Sequence, residues 1–562
     1  MSVLDKKVDV LVIGSGAGAL TAACRAADQG AQVLVVEKAG YYGGTSASSG
    51  GGLWIPNNHL MKAAGIDDSE EEALTYLRTL TGDDVAPDVV EAYVRNAPLM
   101  LRYLEENTKA SFESMVHYAD YYQELEGAKP GGRSIDPLPY HARDLGQSFA
   151  TLGRSHIQTT VMGLMGYTNQ EGAVLLSKAP GWLKVVLKLV VEYGSDIVGR
   201  LKSRRSRRLV MGNALVGRLR HSLDERGVEL WLNSPVTELV VEAGKVVGAV
   251  VSRGGSSEVV RAKRGVIIGA GGFEHSQAMR ERYLPRPSQT SWSAASPNNT
   301  GDLIEAAHNI GAALHLMDEA WWGPTIVMPQ EDRARMLFSE RSMPGCIMVN
   351  GAGKRFVNES VAYTTAVQAM YKDANGNANL PVYAIFDSRY RREYPFGPLL
   401  PKGMKLDWLQ PKRIRHQFLK QSDTIEGLAK ELGVNPVGLK NTVESFNGYA
   451  EVGVDKDFHR GENSYDLLYG DIRLKPNPCL AAIAEAPFYG VEIFPGDIGT
   501  KGGLLTNANA QVLDEAGEVI RGLYAIGNSA ASPMGRYYPG AGATLGPAMT
   551  FGFIAANHAC NT

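Results

Sequence analysis

Short unbroken apolar runs, not long amphipathic stripes, open this chain. Val8 to Gly14 is β-branched, apolar and closed by glycine, which is how a strand buried on both faces of a parallel sheet reads. Helical spacing follows over Ala19 to Gln29. Gln32 to Val36 is a second apolar strand that ends on Glu37. Strand, helix and strand within about 30 residues make a βαβ unit. A second strand-rich block covers Val228 to Val259, where apolar and polar residues alternate about a turn at Gly244-Lys245. Gly265 to Phe273 is another buried strand running into glycines, and Gly522 to Ala530 returns to the same style. A closing helix follows from Thr544 to Ala559. Between about 288 and 487 the pattern is mixed, with longer loops and more aromatics, and reads as an inserted domain.

Size and charge narrow the class. At 562 residues the chain exceeds one ordinary core, so more than one domain is expected. A net charge of only -3 gives no global attraction for nucleic acid, and no nucleic-acid partner is expected. Cys24, Cys346, Cys479 and Cys560 are scattered without metal-site or redox spacing, so no metal is expected. No apolar run reaches the ~18 residues of a membrane-spanning helix. The N-terminus turns directly into strand without a signal-peptide layout, so a cytoplasmic location is expected.

Gly14-Ser15-Gly16-Ala17-Gly18-Ala19 lies between the first strand and the first helix, where a dinucleotide fingerprint must lie. Gly14 permits the tight turn, Gly16 lets backbone approach a pyrophosphate, and Ala19 lets helix and strand pack closely. The helix N-terminus offers N–H groups and a positive dipole end to phosphates. Glu37 is placed to hold a ribose hydroxyl pair. A second glycine loop follows at once, with Lys38, Gly43, Gly44, Thr45 and Ser46, then Gly51 and Gly52. That loop resembles the FAD-binding part of the glutathione-reductase-like flavoproteins, and Gly527-Asn528 resembles their ribityl-contacting strand. The resemblance implies FAD and adds Val236, Ala270, Gly271 and Leu545 to its site. The implied fold is α/β: a Rossmann-like FAD-binding domain (1–287 and 485–562) with an inserted α+β catalytic or cap domain (288–484).

Gly269 to Gly272 and Gly353 to Glu359 are similar to the fumarate reductase/succinate dehydrogenase flavoprotein superfamily. Ala486 to Tyr489, Pro495 to Gly503 and Tyr538 to Ala548 resemble the 3-ketosteroid Δ1-dehydrogenases more specifically. Such enzymes remove a C2 proton and a C1 hydride from a 3-ketosteroid. The C2 proton is acidic only because the C3 carbonyl accepts the charge, so donors at that oxygen and a base at C2 are needed. By resemblance, the Tyr538 hydroxyl and the Gly542 N–H clamp the carbonyl and Tyr363 is the base. Tyr118, Tyr121 and Tyr122 are candidates for the tyrosine that assists it, and Tyr121 is chosen. Thr45 and Ser46 stand where succinate dehydrogenase has its FAD-linking histidine, so noncovalent FAD is expected. No second nucleotide fingerprint is apparent, which points to a quinone or another carrier as electron acceptor. The rival activities are C4–C5 dehydrogenation of a 3-oxo-5α-steroid and fumarate- or enoate-type reduction.

Lys178 to Arg208 adds a further feature. Trp182, Leu183, Val186, Leu187, Val190 and Val191 recur at helical spacing, and Arg200, Lys202, Arg204, Arg205, Arg207 and Arg208 follow. An interfacial helix on an anionic bilayer reads this way, as does a helix packed on the protein with a solvated basic end. The implied lipid-soluble substrate favours the first: a peripheral enzyme on the inner face of the cell membrane, taking up sterol-type substrates such as cholest-4-en-3-one.

Overall fold

A computed structural model describes residues 5–161, 163–177, 181–372, 378–402 and 414–562. The first sheet is eight-stranded. Its centre is β1 (Asp5–Ile13), flanked in parallel by β2 (Val33–Val36) and by the strand Ser256–Ile268. Val10, Leu11 and Val12 have no exposed surface, which explains their unbroken apolar run. Glu229–Trp231 extends the sheet beyond β2, and Lys245–Arg253, Val519–Ala525 and Gln511–Leu513 extend it on the other side. Val236–Glu242 folds back on Lys245–Arg253, with the turn at Ala243-Gly244.

α1 (Ala17–Asp28) begins two residues before the predicted start, directly on Gly16. It packs on the C-terminal helix Leu545–Asn561 through small residues: a Cβ on Gly18 would lie 2.5 Å from Ala548 O. Fold and glycine choice are thus linked at this crossing. Close helix packing carries the Gly16 N-terminus to the mouth of the β1–β2 crevice, at the carboxyl ends of the strands.

The second sheet is six-stranded and antiparallel, with Ala320–Ile326, Phe488–Thr500, Val382–Phe386 and Cys346–Asn350 as its body. This corrects one domain boundary. The FAD-binding part was expected to resume at 485, but Phe488–Thr500 runs through the middle of the inserted sheet. The chain rejoins the first sheet only at Gln511. A strand buried on both faces looks alike in either sheet, and its glycines imitate the nucleotide-binding style.

The Lys178–Arg208 segment also differs from the single helix expected, and Lys178, Ala179 and Pro180 lie outside the described residues. Two helices, Trp182–Ser195 and Ile197–Lys202, meet at Asp196, whose carboxylate caps the second by accepting the Gly199 N–H at 3.2 Å. The basic run is not a free patch. Arg207 pairs with Asp196, Arg208 with Glu171 and Glu192 at 2.9 Å, and Arg205 donates to the carbonyls of Leu152 and Gly153. Asp196 and Glu192 from within the segment and Glu171 from before it absorb those charges. The apolar stripe instead faces outward: Leu183 and Leu187 are each 63% exposed and Leu201 is 83% exposed. Among the described residues no helix is long and apolar enough to cross a membrane.

Candidate active site

A single continuous cavity of about 1640 Å³ runs from the fingerprint to a cluster of tyrosines. One small ligand typically occupies ~300–1,000 Å³, so this volume suits a dinucleotide and a second molecule together. Gly14, Ser15, Gly16, Ala17, Gly18, Ala19, Glu37 and Lys38 line one end. Gly44, Thr45, Ser46, Gly51, Gly52, Val236, Ala270 and Gly271 continue the wall, followed by Gly527, Asn528 and Leu545. Of the expected cofactor residues, Gly43 alone stands behind the wall, where its N–H donates to Ser15 Oγ at 3.0 Å.

Local bonding explains why these positions hold their shape. Gly14 has φ +103°, and a Cβ there would lie 2.2 Å from Gly269 O, so β1 and the Gly269 turn meet only through glycine. The Gly16 cap offers α1 no side-chain acceptor, which suits an incoming anion. Glu37 accepts from Ser15 Oγ at 2.6 Å and from the Ala39 N–H at 2.9 Å. Burial pushes its carboxyl above the ordinary value, and those two hydrogen bonds oppose the rise. Lys38 pairs with Asp302 at 2.6 Å. Thr45 Oγ1 accepts from the Ser296 N–H at 2.9 Å, and the Ala270 N–H donates to Ser529 Oγ at 3.0 Å.

At the other end, Tyr363 opens the helix Tyr363–Tyr371. Its hydroxyl lies 2.9 Å from that of Tyr121. The Tyr538 ring stands edge-on to Tyr363 at 4.9 Å and lies against Tyr121 at 5.4 Å. Tyr538 also shares a 2.9 Å hydroxyl contact with Thr544 and takes the edge of Trp321 at 5.0 Å. Gly542 has φ +95°, and a Cβ would lie 2.5 Å from Leu53 C, so its backbone is pressed onto the Gly52–Leu53 stretch. Of the three neighbouring tyrosines, Tyr121 reaches Tyr363, whereas Tyr118 meets Tyr469 at 2.9 Å and Tyr122 meets Thr365 at 3.3 Å.

Sequence reasoning did not identify the frame behind these tyrosines. Asp120 accepts from Trp54 Nε1 at 2.7 Å and from Arg133 at 2.9 Å, while Arg133 also pairs with Asp68 at 2.7 Å. The Tyr121 N–H donates to Pro539 O at 2.9 Å, tying the Tyr121 and Tyr538 loops together. Behind Tyr363, Glu359 is held by Arg355 at 2.8 Å and Arg460 at 3.1 Å, and Arg355 also binds Asp455. Burial raises Tyr121 and Tyr363 well above the ordinary phenol value and raises Tyr538 as well. For Tyr363 the Tyr121 hydrogen bond acts the other way, favouring the phenolate. Lys38 and Arg335 are the Lys and Arg side chains that line the cavity among the described residues. Each is closed by a carboxylate, Arg335 by Glu331 at 2.6 Å.

Known proteins resemble this chain over nearly its whole length. The FAD binding domain family matches residues 9–545. A 3-oxosteroid 1-dehydrogenase of Mycobacterium tuberculosis is 42% identical, with 98% of each chain covered. A 4-oxocyclohexanecarboxylate 2-dehydrogenase of Sinomonas cyclohexanicum is 37% identical over 97% of this chain and 92% of its own. The crystal structure of 3-ketosteroid delta1-dehydrogenase from Sterolibacterium denitrificans, in complex with 1,4-androstadiene-3,17-dione, superposes with a TM-score of 0.96. It is 50% identical and covers 99% of this chain and 100% of its own. This chain is a flavoprotein that binds FAD, and it belongs to the 3-oxosteroid 1-dehydrogenase family.

Proposed function

We propose that this protein introduces the C1–C2 double bond into 3-ketosteroids. The observation that carries the reading is the convergence of Tyr121, Tyr363 and Tyr538 with the left-handed Gly542 at one end of the FAD cavity. FAD, held at Gly14–Ala19, Glu37, Thr45–Ser46 and Gly527–Asn528, supplies the hydride acceptor when bound. Thr45 and Ser46 offer it hydroxyls and no imidazole, in keeping with noncovalent binding. Tyr538 Oη and the Gly542 N–H donate to the C3 carbonyl oxygen and stabilise the charge that develops there. Tyr121 Oη donates a hydrogen bond that favours the Tyr363 phenolate, Tyr363 Oη takes the C2 proton and becomes a neutral phenol, and the proton then leaves by way of Tyr121.

Two further observations support a steroid over a small keto acid or a dicarboxylate. The cavity wall is mainly apolar, and among the described residues the Lys and Arg side chains that line it, Lys38 and Arg335, are already paired with Asp302 and Glu331. Among the described residues, that wall therefore offers a bound carboxylate no unpaired Lys or Arg. Turnover of androst-4-ene-3,17-dione with an artificial electron acceptor tests the reading. The expected product is the 1,4-diene, two hydrogens lighter. Conversion of a 5α-3-ketosteroid to the 4-ene with no reaction at C1–C2 would move the activity to the neighbouring bond.

The outward apolar face of Trp182–Ser195 and Ile197–Lys202 suits a membrane surface, and Val186 and Leu189 of the first helix line the cavity. A lipid-soluble substrate would then pass from bilayer to cavity beside this helix pair, and a membrane quinone or another carrier would remove the electrons. Apolar insertion leads this attachment, since most of the basic run is paired internally. Burying one Leu contributes about 1.5–3 kcal/mol, so replacing Leu183, Leu187 and Leu201 by serine should weaken vesicle binding by at least about a hundredfold. Co-sedimentation with phosphatidylglycerol vesicles measures this, with turnover of a water-dispersed steroid expected to stay unchanged. Equal sedimentation of both proteins would contradict the attachment.

A further inference from the structure

The carbonyl and the N–H of one trans peptide point in opposite directions, so whatever grips the carbonyl also aims the N–H. The Ala541–Gly542 peptide is trans, and both residues line the cavity. Its carbonyl, Ala541 O, accepts from Ser134 Oγ at 2.9 Å. A carbonyl has no proton to give, so the single hydroxyl proton of Ser134 is spent on this bond. Ser134 is 1% exposed and opens the strand Ser134–Pro137, where it pairs with Trp54 in a three-stranded sheet. The preceding residue, Arg133, is locked to Asp68 and Asp120. Gly542 is pressed onto Leu53 of the same sheet, so hydroxyl and clamp share one support.

The rest of the loop is held without Ser134. Pro539 O accepts from Tyr76 Oη at 2.7 Å and from the Tyr121 N–H at 2.9 Å. Gly540 O accepts from the Ala543 N–H at 3.1 Å, and Gly542 O from the Gly546 N–H at 2.9 Å. Ala541 O is the remaining carbonyl of this stretch, and its peptide carries the N–H assigned to the clamp. Among the described residues no backbone carbonyl takes that N–H. A buried hydroxyl on the carbonyl draws electron density towards it and makes the amide N–H a stronger donor. Bonds in such a chain strengthen one another by roughly 10–30%.

We propose that Ser134 is a positioning residue for the reaction: through the Ala541–Gly542 amide it aims the Gly542 N–H at the C3 oxygen and strengthens it for the charge that develops there. The inference rests on the assignment of Gly542 to the carbonyl clamp. Nothing is transferred, since Ser134 keeps its proton and the amide stays neutral.

Ligand binding to the oxidised, FAD-loaded enzyme tests this apart from turnover. Two ligands are compared: the neutral ketone 1,4-androstadiene-3,17-dione, and a steroid whose aromatic ring A bears a C3 phenolate in place of the charged oxygen. Ser134→Ala removes the hydroxyl and leaves the other loop bonds in place. It should weaken phenolate binding about three- to tenfold and lower kcat by a similar factor, with ketone binding and KM within about twofold of the wild type. Ser134→Cys, nearly isosteric with a weak S–H donor, should fall between the two. Equal weakening of both ligands by Ser134→Ala would show that Ser134 only holds the loop, and no change in either would show that it does not act on the clamp; each overturns the proposal. If Ser134→Ala does not load FAD, Ser134→Cys decides: a loss confined to the phenolate supports the proposal, and an equal loss or none contradicts it. A wild type that forms no 1,4-diene would instead remove the functional assignment, whatever the Ser134 variants do.

Discussion

Tyr363→Phe is expected to keep its FAD and lose about 10²–10⁴-fold in kcat, the range associated with removing a general base. The ring stays, and with it the edge contacts to Tyr538 at 4.9 Å and Tyr121 at 5.3 Å. What goes is the oxygen 2.9 Å from Tyr121 Oη. Tyr121 then loses a buried partner, which costs about 1–3 kcal/mol of stability and leaves the fold intact. In the proposed mechanism no other side chain of the cluster replaces the base, because Tyr538 serves the carbonyl and Tyr121 serves Tyr363. Steady-state turnover, flavin content and thermal unfolding together check the prediction. A variant within tenfold of the wild type in kcat would show that the C2 proton leaves by another route.

Tyr538→Phe is expected to cost about 10²–10³ in kcat with a smaller change in KM, as for loss of one oxyanion donor. The asymmetry follows from the chemistry. The ground-state ketone is a modest acceptor, whereas the charge delocalised onto its oxygen as C2 loses its proton is a strong one. Tyr538 Oη is held 2.9 Å from Thr544 Oγ1, so its position is set before substrate arrives. The Gly542 N–H remains as the second donor, which is why this variant should retain more activity than a clamp wholly removed. A rise in KM with unchanged kcat would mean that Tyr538 contributes only to ground-state binding.

Much of the fold was legible because the signals are local. The strand pair β1 and β2 is a run of consecutive apolar residues, and the fingerprint glycines act within six positions of one another. Tyr538 and Gly542 sit in one short loop, so a motif of neighbouring residues could carry them. The choice of Tyr121 over Tyr118 and Tyr122 was harder. The three lie within five positions, and only the loop path, tied to Pro539 O, decides which faces Tyr363. Asp120 gave no signal because its partners, Trp54 and Arg133, lie away from it along the chain. The basic run after the exposed helix is partly neutralised by Glu171, which lies well before it in the chain, and by the nearer Asp196, pairings that the apolar stripe does not show. Phe488–Thr500 was placed in the wrong domain because a doubly buried strand has no polar face to orient it.

Anaerobic mixing of the oxidised, FAD-loaded protein with androst-4-ene-3,17-dione tests the central claim most directly, read by the flavin absorbance near ~450 nm. Bleaching in a single turnover, with the 1,4-diene released, is the expected result. The claim would be contradicted if the flavin stayed oxidised with the steroid while an enoate reoxidised the chemically reduced protein.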